Sequence, residues 1–178
     1  MNFHYYQFTQ EGFFNDFHLK LNEWRHFVMQ DGTWFEIKNK EDIEHLMYEF
    51  GDFHDGCLKE LRYISGEYVS KDLGMHPLNS LRNLYVIFQR QWENPSAIEM
   101  LFEELECLTL KPISENYGVI FDAYMTIEDN CLVWFDCGDF KDDYKELYEY
   151  SDVTWIKAKR VKWRVAEECI GDAEIYHK

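Results

Sequence analysis

The sequence predicts a single α+β domain over residues 1–178, with N-terminal helices packed on a mostly antiparallel β-sheet. Apolar residues recur every three or four positions before Gly51 and every second position after it. Turn signals separate the later segments, which favours strands joined by hairpins. We therefore expect a helical part over 1–51 and a β-rich part over 52–178, an order typical of α+β rather than α/β proteins.

Two helices are predicted before Gly51. Between residues 14 and 28, apolar side chains recur at spacings of three and four and would form one face of a helix: Phe14, Phe17, Leu21, Trp24 and Val28. Residues 34–37 suit a short strand. The second helix begins after Asn39, a residue type that caps helices, and has acidic residues in its first turn. Gly51 is placed to end this helix. The apolar stripe of the second helix consists of Ile43, Leu46, Met47 and Phe50.

The sheet is expected from six further segments, two of which form the hairpin described below. Leu61 and Tyr63 alternate with Glu60 and Arg62, and residues 84–92 are apolar on both faces, as in a central strand. Residues 97–110 alternate loosely and contain several glutamates, so a helix up to Glu106 stays open. The segment 152–167 ends the sheet, with Val161, Trp163 and Val165 facing inward and basic residues facing solvent.

The strongest hairpin signal joins residues 119–127 to residues 131–137. Val119, Phe121, Ala123, Met125 and Ile127 are predicted to face the core, together with Val133 and Phe135. Trp134 would lie on the opposite side, beside Asp136. The other tryptophans suit core packing better than a ligand pocket.

Composition limits the class of protein. The chain has 46% hydrophobic residues, too many for a disordered protein, and no apolar run long enough to span a bilayer. No signal peptide is recognised, so we expect a cytoplasmic protein. Five cysteines without CxxC spacing are expected to be reduced thiols, and neither a metal nor a cofactor is expected.

The formal net charge of -16 argues against nucleic-acid or membrane binding, which requires neutralisation of phosphates. The acidic residues concentrate between residues 136 and 152, while residues 157–164 carry five basic side chains and no acidic one. One interpretation is an acidic surface, with aromatic anchors, that binds a basic protein. The other is that the acidic run pairs with the basic strand. The predicted partner-binding residues are Asp139, Asp142, Asp143, Tyr144, Glu146, Tyr148 and Glu149.

Residues 52–56 offer a second candidate site, because His54 lies between Asp52 and Asp55. A histidine flanked by carboxylates can act as a general base, with these two acids as its catalytic partners. The alternative is that Asp55 and Gly56 form a turn, and that His54 fixes the loop by bonding the backbone.

The segment from Asp52 to Ile64 resembles small uncharacterised bacterial proteins, some grouped with the immunity proteins of toxin systems. Its features are a Phe-His-Asp turn and the strand Cys57-Leu58-Lys59-Glu60-Leu61. The resemblance implies a non-enzymatic protein that binds and blocks a toxin. Two alternatives stay open: a small enzyme or metal-dependent hydrolase centred on His54, and a homo-oligomer, such as a homodimer, that buries a sheet edge or the Trp134 face.

Overall fold

The computed structural model describes residues 32–77, 81–112, 119–138, 145, 148 and 153–176, so the predicted helix at 14–28 lies outside the described residues. Residues 32–178 form one compact unit. Its elements are β1 (Phe35–Ile37), α1 (Lys40–Glu49), a 3-10 turn (Gly51–Phe53), β2 (Gly56–Ile64), β3 (Tyr68–Val69), β4 (Met75–His76), β5 (Asn83–Arg90), β6 (Ala97–Thr109), β7 (Tyr124–Glu128), β8 (Cys131–Phe135), β9 (Trp155–Val165) and a second 3-10 turn (Glu167–Cys169).

The predicted second helix is confirmed as α1. Asn39 Oδ1 accepts a hydrogen bond from the Asp42 amide at 2.9 Å, and the Asp42 carboxylate accepts one from the Asn39 amide at 3.2 Å. This reciprocal pair satisfies donors that would be unpaired at the start of the helix. Gly51 follows the helix with a φ of +55°. The ring of His45 in this helix lies 5.9 Å from the ring of Trp163 in β9. Among the described residues, no helix could cross a membrane.

The prediction of a mostly antiparallel sheet is confirmed. The strands follow the order β2-β5-β6-β9-β8-β7, and every strand pair in this order is antiparallel. The segment for which a helix stayed open is β6, a strand of 13 residues. It is paired on one side with β5 and on the other with β9.

The last strand, β9, lies inside the sheet rather than at its end. One edge of β9 pairs with β6 along most of its length, and the other edge pairs with two different strands. Residues 155–158 pair with β8, whereas residues 161–163 pair with β1. The predicted sidedness of β9 holds at Val161 and Trp163, which are buried, while Arg160 is exposed.

The hairpin of β7 and β8 is confirmed. Glu128 pairs with Cys131, and the two residues between them, Asp129 and Asn130, have φ values of 52° and 61°. Two consecutive left-handed residues are characteristic of the turn that best matches the twist of paired strands. Asparagine and aspartate tolerate this conformation better than most side chains.

Trp134 faces the side of β8 opposite Val133 and Phe135, as predicted, but that side belongs to the core and includes Met125, which was expected to lie with Val133 and Phe135. Trp134 pairs with Met125, is fully buried, and has its ring 5.0 Å from the Phe88 ring and 5.7 Å from the Phe53 ring. Val133 and Phe135 face the other side of β8, where Val153, Tyr148 and Trp155 cover them. The error arises because both faces of β8 are buried, so alternation does not distinguish them.

The predicted strand at 119–127 begins only at Tyr124. Val119 and Phe121 are exposed rather than inward-facing, with 65% of the Phe121 surface accessible. The backbone before β7 bonds to the region of β2 instead: the Ile120 amide donates to the Gly56 carbonyl at 2.7 Å, and the Ala123 amide donates to the Asp52 carbonyl at 2.8 Å. These bonds link the segment before β7 to β2 and the turn before it, although β7 and β2 stand at opposite ends of the strand order.

Candidate protein interaction surfaces

The loop at residues 51–56, here called the His54 loop, is a compact turn with unusual backbone angles. Asp52, Phe53 and Asp55 all have φ between 53° and 62°, a region that most side chains avoid. The His54 amide donates to the Gly51 carbonyl at 2.9 Å. A Cβ atom at Gly56 would lie 2.6 Å from the Phe53 carbonyl oxygen, so this close approach requires glycine.

The structure brings two of the three predicted catalytic residues together. His54 Nδ1 lies 3.1 Å from Asp55 Oδ2, and Trp92 Nε1 donates to the same carboxylate oxygen at 3.3 Å. Asp52 is exposed and contributes its backbone carbonyl to the Ala123 amide. The His54 side chain is 55% exposed. Among the described residues, no cluster of three or more His, Cys, Asp or Glu could hold a metal ion.

Two exposed aromatic side chains flank the His54 loop, and neither was predicted there. Trp92 is 59% exposed and Phe121 is 65% exposed. The backbone places them: the Asp55 carbonyl accepts from the Gln91 amide, and the Gly56 carbonyl accepts from the Ile120 amide. The carbonyls of Asp55 and Gly56 thus accept hydrogen bonds from two different chain segments. Trp92 follows Gln91 and Phe121 follows Ile120, so the two aromatic residues lie near the two sides of the loop.

Cys57, Cys107, Cys131 and Cys169 carry free thiols. Cys131 and Cys169 are buried, and burial raises the pKa of Cys169 to about 11. A thiol with this pKa stays protonated at neutral pH and is a poor nucleophile.

Of the predicted acidic surface, only Tyr148 lies within the described residues. Its hydroxyl donates to Glu128 Oε2 at 2.7 Å, and its ring packs edge-on against Trp155 at 4.8 Å. Tyr148 is half-buried, so this end of the acidic run is attached to the sheet. The remaining members lie outside the described residues: Asp139, Asp142, Asp143, Tyr144, Glu146 and Glu149.

The basic side chains of β9 bind carboxylates on neighbouring strands. Arg160 contacts Glu103 and Glu104, and Lys162 lies 3.4 Å from Glu103. Lys159 and Lys157 pair with Glu104 and Glu128, at 3.8 and 3.3 Å. In the described part of the chain, the carboxylate partners of this basic strand therefore come from β6 and β7.

The most buried of these pairs joins Glu99 of β6 to Arg164 of β9. Arg164 Nε lies 2.7 Å from Glu99 Oε2, and the Glu99 side chain is only 4% exposed. Arg164 Nη1 also contacts Glu168 at 2.7 Å. The two partners stand directly opposite each other in the strand register.

A shallow groove of about 310 Å³ lies on β9 between the end of β1 and the tip of the β7–β8 hairpin. It occurs where β9 passes from pairing with β8 to pairing with β1. Its rim has both signs of charge, from Lys38, Lys159 and Arg160 and from Glu36 and Glu103. Because these groups already form ion pairs with one another or with Glu104, the rim does not favour an anion or a cation.

Residues 63–77 together with residues 81 and 82, here called the arm, include the last two residues of β2, the small β3–β4 ribbon and the two described residues before β5. Seven of the fifteen exposed large apolar side chains in the described residues belong to the arm. The turn of the ribbon is well formed, with the Ser70 amide donating to the Gly74 carbonyl and the Ser70 hydroxyl donating to Asp72. The exposed apolar members of the arm are Tyr63, Ile64, Tyr68, Val69, Leu73, Met75 and Leu81.

Comparison of the chain with protein-family models, curated proteins and solved structures found no match. The assignment of function therefore depends on the geometry and charge of these surfaces.

Proposed function

We propose that this chain is a non-enzymatic protein-binding domain that holds a basic partner, in the manner of an immunity or inhibitor protein. The observation that supports the proposal is the neutralisation of β9 by glutamates of β6 and β7. Because the basic side chains of β9 already have carboxylate partners, they are not needed to balance the acidic run. In this proposal, the negative charge of that run binds a second molecule.

The acidic run has the size and sign for such a role. Residues 136–152 contain seven acidic and two basic residues, and the whole chain has a formal charge of -16. Charge of one sign on one surface accelerates association with an oppositely charged protein and fixes its orientation. Attachment of Tyr148 to Glu128 and Trp155 connects the run to the rigid sheet. The proposed partner is a basic protein such as a toxin.

The proposal is tested by affinity capture from the source cells, with the full chain and two charge variants. One variant combines Asp139→Asn, Asp142→Asn, Asp143→Asn, Glu146→Gln and Glu149→Gln. The matched control neutralises five exposed acidic residues elsewhere, by Glu41→Gln, Glu44→Gln, Glu93→Gln, Asp172→Asn and Glu174→Gln. We expect the first variant to lose a basic partner that the control retains.

The affinity of the captured partner should also fall as salt is added, mainly through slower association. Equal capture by the two variants would contradict the proposal, and so would an affinity that does not change with ionic strength.

A further inference from the structure

We propose that the arm is a self-association surface, through which two copies of this chain form a dimer around a two-fold axis. The ribbon register places Val69 opposite Met75, so these two side chains share one face. Tyr68 and His76 share the other face, with their rings stacked at 4.4 Å. Both faces of the ribbon therefore present apolar or aromatic groups to solvent.

Summed over both faces of the ribbon, the exposed apolar side chains of the arm have about the area that a stable dimer requires. These seven side chains are between 37% and 83% exposed. Taking about 150–250 Å² for a large side chain, they offer roughly 800 Å². That is about the area that each partner contributes to a standard interface. In a two-fold dimer the same patch serves on both copies, so the second copy supplies the matching area.

The charge of the arm also suits a second copy. The arm contains two acidic residues, Glu67 and Asp72, and two basic residues, Lys71 and Arg82, so its formal charge is zero. The whole chain has a charge of -16, and most other surfaces of two copies would therefore repel each other. Two copies can approach through the arm with the least electrostatic cost.

The ribbon itself gains from being covered. β3 and β4 form a separate two-stranded sheet with two residue pairs. A two-stranded ribbon of this kind is only marginally stable in water unless it packs against another surface. Leu73, at the turn, is 83% exposed and so has little cover within the chain. Packing against the arm of a second copy would supply that surface.

The test is sedimentation velocity on the full chain over a wide range of concentrations. We expect a concentration-dependent dimer, and we expect Val69→Glu with Met75→Glu to weaken it at least about tenfold. The uncharged pair Val69→Asn with Met75→Gln should also weaken it, which separates loss of apolar burial from added repulsion. The control, Ile170→Glu with Ile175→Glu, adds the same charge at other exposed apolar sites and should leave the dimer intact.

Salt distinguishes this proposal from the proposed function. Screening reduces repulsion between two copies of charge -16, so added salt should maintain or strengthen the dimer, whereas it should weaken binding of a basic partner. A monomer at every concentration would overturn self-association, as would a dimer that withstands both arm variants. If the wild-type chain is monomeric and a different protein binds the arm, the surface belongs to that partner and the proposal is wrong.

Discussion

At the scale of single residues, Asp136 illustrates how burial makes a carboxylate sensitive to pH. The Asp136 carboxylate accepts a hydrogen bond from the Thr154 amide at 2.9 Å, yet burial dominates and raises the pKa of Asp136. Deprotonation therefore costs more free energy in the folded chain than in the unfolded chain. The contribution of Asp136 to stability is greatest below the ordinary carboxyl pKa and decreases as pH rises through the raised pKa.

We accordingly predict that Asp136→Asn increases the free energy of unfolding at neutral pH. The asparagine oxygen can still accept from the Thr154 amide, but no charge has to be buried. The gain should shrink as pH falls and vanish below the unfolded carboxyl pKa of about 3.9. Urea unfolding at several pH values measures this, with the exposed Asp172→Asn as control. A variant less stable than wild type at pH 7 would mean that the charged hydrogen bond outweighs burial.

At the scale of elements, the ion pair of Glu99 and Arg164 joins β6 to β9 through their side chains. Breaking a buried ion pair by removing one partner typically costs about 3–5 kcal/mol, because the other charge is left uncompensated. Glu168 also contacts Arg164 and would compensate part of that charge. We predict that Glu99→Gln lowers the free energy of unfolding by about 2–3 kcal/mol, measured by urea denaturation.

The control for this prediction is Glu36→Gln. Glu36 pairs with Lys38 at 2.7 Å, but both side chains are more than half exposed, so the change should have no measurable effect on stability. If Glu99→Gln and Glu36→Gln changed the free energy of unfolding equally little, the Glu99–Arg164 pair would contribute no more to stability than an exposed ion pair.

Elements were predictable from the sequence where local signals agreed. The β7–β8 turn has residues that tolerate positive φ, and β5 is apolar on both faces, as a central strand should be. The strand β6 stayed ambiguous because the basic partners of its Glu99, Glu103 and Glu104 lie on β9, about sixty residues later. Pairing across that distance leaves no local periodicity.

The candidate surfaces were less predictable than the strands. His54 and Asp55 are neighbours in sequence, so their pairing could be anticipated, whereas Trp92 and Phe121 reach the same loop through backbone pairing that is not visible in sequence. The arm was missed because an exposed Val69 or Met75 has the same alternation as a buried one. Only the structure shows that the ribbon stands apart from the seven-stranded sheet.

At the scale of the whole molecule, long-range repulsion among acidic groups lowers the stability of the folded chain. A formal charge of -16 on 178 residues destabilises the compact state, and salt screens this repulsion beyond roughly 8 Å at physiological ionic strength. Salt also weakens ion pairs, but the partly buried pairs of β9 with β6 and β7 are screened less than exposed charges. The repulsive term should therefore change more than the attractive one.

We predict that the melting temperature rises with sodium chloride concentration. Each kcal/mol gained should raise Tm by about 2–4 °C for a domain of this size. The variant that neutralises Asp139, Asp142, Asp143, Glu146 and Glu149 lowers the formal charge from -16 to -11, so its Tm should depend less steeply on salt. Potassium chloride should act like sodium chloride, because screening depends on ionic strength and not on a bound ion. A Tm that falls with salt would show instead that the ion pairs between β9 and its neighbours outweigh the self-repulsion of the chain.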